Sequence, residues 1–242
     1  MKNTTQEKMR IEIWSDIACP FCYIGKHKID KAVLESKNSH LIDIVWKSYQ
    51  LNPDLITDNT KSIYQSLAES KQITIDVAKQ MTSGVIEMGK NNGVFFDFDK
   101  TIPANTLKSH QLLHFAKKYG KQSEAKEMLF EAYFKEGKNI DDVIVLTKII
   151  SLIGLNVSDF VDAVVAETFL PEVELDFYEA RQIGVRGVPF FVFNNQLGIS
   201  GAQDDTVFTN TLNTALIDWQ KDNPHAEFNI INGPVCSPKG CE

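Results

Sequence analysis

Hydrophobic and polar positions along the chain fall into two patterns: short runs of alternating or β-branched residues at both ends, and a long helical stretch between them. Arg10 to Trp14 alternates as a first strand, and the apolar run stops at Ser15-Asp16. From Pro20 to Glu35, Ile24, Ile29, Ala32, Val33 and Leu34 keep helical spacing, with Pro20 tolerated in the first turn. Leu41 to Tyr49 is rich in β-branched and aromatic residues and predicts a second strand. Strand, helix and strand in this order predict a βαβ unit with parallel strands and a right-handed crossover.

Asn52-Pro53-Asp54 ends that unit. Helical periodicity follows near 60–70, 74–90, 105–119, 122–136, 141–153, 158–167 and 172–183, with Gly, Asn, Asp or Pro breaks between segments. Thr74, Asn105 and Ser158 stand where N-caps are expected. Only Val94 to Phe98 has an extended signature in this block. Gly184 to Phe193 predicts a further strand entered through the Val188–Pro189 bond. Asn194-Asn195 is a turn signal, and Leu197 to Ser200 predicts the paired strand of a hairpin. Residues 204–220 predict a closing helix with Asp204 or Asp205 as N-cap and Val207, Leu212, Ala215, Leu216 and Trp219 facing inward. The layout is an α/β fold: residues 10–55 and 183–221 form one unit, 56–182 are an all-helical insertion, and 222–242 are a tail.

The 242 residues suffice for a large core, and a net charge of −7 argues against a general nucleic-acid binder. No window holds the ~18 apolar residues that a membrane span requires. The first ten residues are polar and lack the apolar core of a secretory signal, so a cytoplasmic protein is expected. The four cysteines are then not read as a structural disulfide framework. Redox or metal chemistry is the alternative.

Cys19-Pro20-Phe21-Cys22 lies at the junction between the first strand and helix. This order places Cys19 at the exposed N-terminal end of the helix, where backbone N–H groups and the helix dipole favour a thiolate. A nucleophilic Cys19 of lowered pKa is expected, with Cys22 one turn on, able to attack any mixed disulfide formed at Cys19. Two ordinary buried thiols are the competing reading.

The Cys19–Cys22 junction, the helical insertion and the Gly187-Val188-Pro189 strand entry resemble the DsbA-like branch of the thioredoxin superfamily. Within it, residues 15–25, Pro103 to Thr106 with His110, and Ser200 to Gln203 resemble the cytosolic FrnE-type proteins. The resemblance covers residues 10 to 220 and implies a thioredoxin fold, βαβ plus ββα, with the helices inserted. It implies a protein disulfide oxidoreductase or isomerase with Cys19 attacking and Cys22 resolving. It also implies a cis bond at Pro189 beside them, which sequence alone leaves open. Val188 is then expected to offer its backbone to an extended substrate chain. Pro20 and Phe21 shape the site without an imidazole, implying a milder oxidant than a DsbA with histidine there. No cofactor or resident metal is expected. Protein thiols and disulfides are the substrates, with glutathione or thioredoxin as electron partner, and the chain is a monomer or homodimer. Kappa-class glutathione transferases and 2-hydroxychromene-2-carboxylate isomerases share this layout but typically carry serine at the position of Cys19. A chaperone-like binding module is a further alternative.

Cys236-Ser-Pro-Lys-Gly-Cys241 is a second candidate redox pair, its turn residues bringing the ends within disulfide range. A zinc site and two incidental thiols are the other readings. His110 and His114 share a helical face without a metalloenzyme motif. Asn105 and His110 are placed in the cleft by the resemblance, although Asn105 as a helix cap needs no cleft. Asp16 is read as a cap or a proton-transfer aid to Cys22, and Lys117-Lys118 as a solvated helix end. The Phe95, Phe96, Phe98 and Phe190, Phe191, Phe193 groups are read as core.

Overall fold

A computed structural model describes residues 7–223 and the backbone of 236–237 and 240–241. The alternating run forms strand β1 (Met9–Ser15), followed by helix α1 (Pro20–Glu35) and strand β2 (Ile42–Ser48). β1 and β2 pair in parallel from Met9 opposite Ile42 to Ser15 opposite Ser48. The chain then builds α2 (Ile63–Lys71), α3 (Ile75–Asn91), α4 (Leu107–Lys117), α5 (Gln122–Phe130), α6 (Val143–Leu152), α7 (Val157–Val165) and α8 (Leu170–Gln182). It returns to the sheet as β3 (Phe190–Phe193) and β4 (Leu197–Ser200), and α9 (Asp205–Asp222) follows. The four-stranded sheet has the order β2-β1-β3-β4, with β3 antiparallel to β1 and β4 antiparallel to β3. The hairpin is tight because Asn194 and Asn195 both take positive φ, the pairing of a type I′ turn.

Among the described residues two large apolar cores lie either side of the site, with a smaller cluster of Trp14, Ala180 and Val185 beside them. One joins the sheet to α1 and α9 through Ile11, Ile13, Ile29, Phe191, Phe208, Leu212 and Trp219. The other fills the helical insertion with Leu112, Phe130, Phe134, Leu146 and Phe160, and it reaches Cys19, Cys22 and Tyr23. The dithiol therefore sits at the seam between the two.

Several local expectations change. Residues 184–189 form a loop, so β3 begins only at Phe190, after Pro189. Val94–Phe98 forms no strand, and Phe95 is exposed while Phe98 is buried. Asn156, rather than Ser158, caps α7 by accepting the Asp159 N–H. Thr106 is the N-cap residue of α4, yet Asn105 Oδ1 supplies the capping acceptor to the Leu107 N–H. On α9 Phe208 faces inward and Val207 outward. Thr74 caps α3 as expected.

Candidate active site

β1 ends at Ser15, and the chain turns through Asp16, Ile17 and Ala18 to place Cys19 as the N-cap residue of α1. The turn closes when the Cys19 N–H donates to the Asp16 carbonyl at 3.3 Å. The helix starts with the Cys22 N–H on the Cys19 carbonyl at 3.0 Å. Both cysteines are free thiols, and neither is exposed: Cys19 retains 3% of its surface and Cys22 none. The expected exposed Cys19 is thus covered, because the loop before β3 folds over it. The Cys19 thiol donates to the Val188 carbonyl at 3.5 Å, and the Val188–Pro189 bond is cis. The Val188 N–H has no partner among the described residues. Pro189 is buried, whereas Phe21 stands 40% exposed at the entrance.

Gly25, one turn after Cys22, is the seat of that loop. A Cβ there would meet Phe191 at 3.0 Å and Pro189 at 3.1 Å. It closes the 15–25 motif in the sequence, which assigned it no role of its own.

Cys19 is held well above the ordinary thiol range, opposite to the expected direction. The first cause is the hydrogen bond it shares with Cys22; burial and repulsion from Cys22 follow, and Asp16 adds to them. The Cys22 backbone N–H pulls the other way without prevailing. Cys19 therefore keeps its proton in the resting dithiol.

Asp16 is buried beneath this pair and organises it. Its Oδ2 accepts the Leu51 N–H at 2.8 Å, fixing the loop after β2, and its Oδ1 lies 3.4 Å from His110 Nε2. Burial pushes the Asp16 carboxyl up, but His110, Leu51 and Thr106 outweigh it and hold the group below 3.8. Burial lowers His110 below 6.5 despite Asp16, so at neutral pH the ring donates a hydrogen bond rather than carrying charge. His110 is fully buried and lies under the site instead of lining a cleft. Asn105 braces the loop after β2, donating to the Pro53 and Leu55 carbonyls at 3.1 and 2.9 Å and accepting from Gln50 at 3.1 Å. His114 is buried away from His110's partners, on Ser48 and Asp176. Among the described residues no group of three or more His, Cys, Asp or Glu could hold a metal ion.

Sequence reasoning missed Lys126. This lysine of α5 is 0% exposed, with Nζ over the rings of Phe130 (4.9 Å) and Trp46 (5.5 Å) and no hydrogen-bond partner. Its place beside an inward aromatic residue was the available signal, but a lysine in a helical pattern reads as solvent-facing. A groove of about 800 Å³ opens beside the covering loop, with Tyr49, Pro53, Leu175, Tyr178 and Val185 in its walls. The candidate Cys236–Cys241 pair falls in the tail: the two residues are opposite in a short antiparallel pairing of β5 (Cys236–Ser237) and β6 (Gly240–Cys241), and their side chains lie outside the described residues.

The family description DSBA-like thioredoxin domain matches residues 10–213. "Uncharacterized protein YwbO" of Bacillus subtilis (strain 168) is 27% identical over 217 residues, covering 88% of this chain and 98% of the relative. The crystal structure of the probable DsbA oxidoreductase SCO1869 from Streptomyces coelicolor is similar, with a TM-score of 0.79 and 28% identity, over 97% of this chain and 98% of that one. The cytosolic disulfide reductase DsbM from Pseudomonas aeruginosa with GSH shares the fold at a TM-score of 0.59 and 14% identity, over 88% of this chain and 98% of that one.

Proposed function

Because the chain belongs to the DsbA-like thioredoxin domain family, we propose that it is a FrnE-type thiol–disulfide oxidoreductase acting on protein disulfides through Cys19 and Cys22. The observation that carries this reading is the Cys19 thiol at the start of α1, hydrogen-bonded to the loop of Pro189, with Cys22 one turn behind it. Loss of its proton makes Cys19 a thiolate, which attacks one sulfur of a substrate disulfide. The first substrate sulfur leaves as a thiolate and takes a proton. Cys22 then attacks Cys19, the mixed disulfide breaks, and the second substrate sulfur leaves as a thiol. The substrate gains two electrons and the enzyme keeps a Cys19–Cys22 disulfide.

The free Val188 N–H, beside a groove walled by tyrosines and aliphatic residues, suits an extended polypeptide laid against the Val188–Pro189 loop. Isomerase activity uses the same first step and lets a substrate thiol resolve it. Glutathione or thioredoxin would return the enzyme to the dithiol, and a reducing cytoplasm would keep it there. Cys236 and Cys241 would be a second dithiol exchanging with the first. A glutathione-dependent transferase or chromene-carboxylate isomerase on the same scaffold needs neither Cys22 nor its proton, and a chaperone-like module needs neither thiol.

Reduction of insulin by the wild type, lost in Cys19→Ser, is the expected result. Cys22→Ser should accumulate a mixed disulfide, read as added mass that reductant removes. Insulin reduction that persists in Cys19→Ser would overturn the reading.

A further inference from the structure

The groove beside the covering loop carries a charge pattern that the dithiol reaction does not use. Glu174, Leu175, Tyr178 and Arg181 of α8 line it. Their spacing is helical, so they share one face, with Glu174 and Arg181 seven positions apart. Two turns of helix separate those two charges by about 10 Å. Leu175 and Tyr178 between them are 52% and 53% exposed. Among the described residues, neither the Arg181 guanidinium nor the Glu174 carboxylate has a hydrogen bond or an ion pair. Asp176 and Glu179 on the same helix differ, because Lys47 holds both.

The Arg181 end of the groove is the end nearest the thiols. Arg181 lies in the last turn of α8, and the Val185 N–H folds back onto that turn, donating to the Ala180 carbonyl at 2.9 Å. Val185 and Tyr49, both in the groove's walls, pack in one cluster with Val188, whose carbonyl accepts the Cys19 thiol at 3.5 Å. Arg186, on the loop itself, is a second exposed cation without a partner among the described residues. In a chain of net charge −7, two unpaired guanidinium groups beside the dithiol are a local exception. With an unpaired carboxylate two turns away, the face is complementary to a ligand of the opposite charge order.

We propose that this face of α8 reads the charge order of a protein substrate: an acidic residue close to the reactive cysteine and a basic residue about three positions further out. The spacing follows from strand geometry. An extended chain advances about 3.3 Å per residue, so about three residues cover the about 10 Å between Arg181 and Glu174. The acidic residue meets Arg181, with Arg186 beside it, and the basic residue meets Glu174. An apolar side chain between them rests on Leu175 and Tyr178. Charges at the rim of a binding face act on encounter, so the preference belongs in kcat/KM and weakens with salt.

The inference rests on the dithiol reaction proposed above, and its test separates the two. Synthetic peptides carry one cysteine as a mixed disulfide with nitrothiobenzoate. Each has a Glu two, three or four positions from the cysteine, on either side, and a Lys three positions beyond the Glu. A second set exchanges Glu and Lys, and an alanine peptide is the neutral reference. Cys19 attacks the peptide sulfur and the nitrothiolate leaves, read by its absorbance. Cys22 then attacks Cys19, the peptide leaves as a thiol, and the enzyme ends as the Cys19–Cys22 disulfide. Relative to the neutral peptide, the best peptide with Glu near the cysteine should react about tenfold faster than its exchanged counterpart at low salt. High salt should close that gap. In the double variant Glu174→Arg with Arg181→Glu, the preference should be lost or reversed. Both positions are exposed, so the fold should tolerate the exchange. A thermal melt checks this, and if the double variant is unfolded, Arg181→Gln takes its place and should shrink the preference. Equal rates for every exchanged pair in the wild type, or a preference of undiminished size in the variant, would overturn the proposal. Absence of nitrothiolate release from every peptide would overturn the dithiol reading instead.

Discussion

The Cys19 thiol and the Val188 carbonyl, 169 positions apart in the chain, meet at 3.5 Å. The contact stabilises the protonated sulfur, as does the bond shared with Cys22. Strong oxidants of this chemistry have a stabilised reduced thiolate, and here the thiolate is disfavoured. The reduction potential should therefore fall nearer about −230 to −270 mV than −120 mV. Equilibration with glutathione buffers, read by alkylation and intact mass, measures it. Phe21→His should move the potential upward by about 30 mV or more, because an imidazolium at the entrance favours the thiolate. A wild-type potential near −120 mV would contradict this account.

Asp16 and His110 make the fold sensitive to acid in two windows. Burial leaves His110 with a folded pKa below 6.5, so the unfolded chain takes up its proton first. The stability this contributes is full above 6.5 and is lost as pH falls through the folded value. Asp16 behaves alike, with its window opening below 3.8. Urea midpoints measured across pH should decline in both windows. His110→Leu should remove the first and cost about 2 kcal/mol at neutral pH, since Asp16 loses a donor to its charge. A midpoint that falls below pH 6.5 to the same extent in both proteins would refute the assignment to His110.

The strands, the helices and the Cys19–Cys22 junction were legible because local patterning carries them: alternation in β1, apolar spacing in α1, an Asn-Asn pair in the hairpin. The cover over Cys19 was not, since it comes from Val188, far along the chain. The hydrogen bond with Cys22, together with burial under that loop, turns an expected exposed, acidic thiol into a buried one of raised pKa. His110 was found through a resemblance, but its depth was not, because helical spacing cannot tell which face meets a second layer. Lys126 stayed hidden for the opposite reason. Charge suggests solvent, and only the tertiary packing of Trp46 against α5 seals it in.

Gly25 should be the most sensitive glycine near the site. Alanine normally gains about 0.5–1 kcal/mol over glycine inside a helix. Here its Cβ would press on Pro189 and Phe191 at 3.1 and 3.0 Å, closer than either can accept without moving. Overpacking of this kind costs about 1–3 kcal/mol, so Gly25→Ala should be net destabilising. It should also slow insulin reduction, because the displaced atoms belong to the loop that covers Cys19. A variant as stable and as fast as the wild type would show that the loop yields freely.

Asp176 ties the insertion to the sheet just before that loop. It is 2% exposed; its Oδ2 accepts the Ser48 N–H at 2.7 Å and lies 3.1 Å from His114 Nε2, while Oδ1 lies 3.1 Å from Lys47 Nζ. Its carbonyl accepts the Trp14 indole N–H at 2.9 Å. Burial raises the carboxyl, but His114, Ser48 and Lys47 prevail and hold it below 3.8, so it is charged at neutral pH. Asp176→Leu leaves Lys47 and the Ser48 N–H without this acceptor and should cost about 3–5 kcal/mol. Asp176→Asn retains one acceptor and should cost less. Because α8 runs from Asp176 directly into residues 183–189, the leucine variant should also loosen the covering loop. Hydrogen exchange should then speed up at Ala180 and Val185 more than at Leu212 on α9, a difference that uniform destabilisation would not produce.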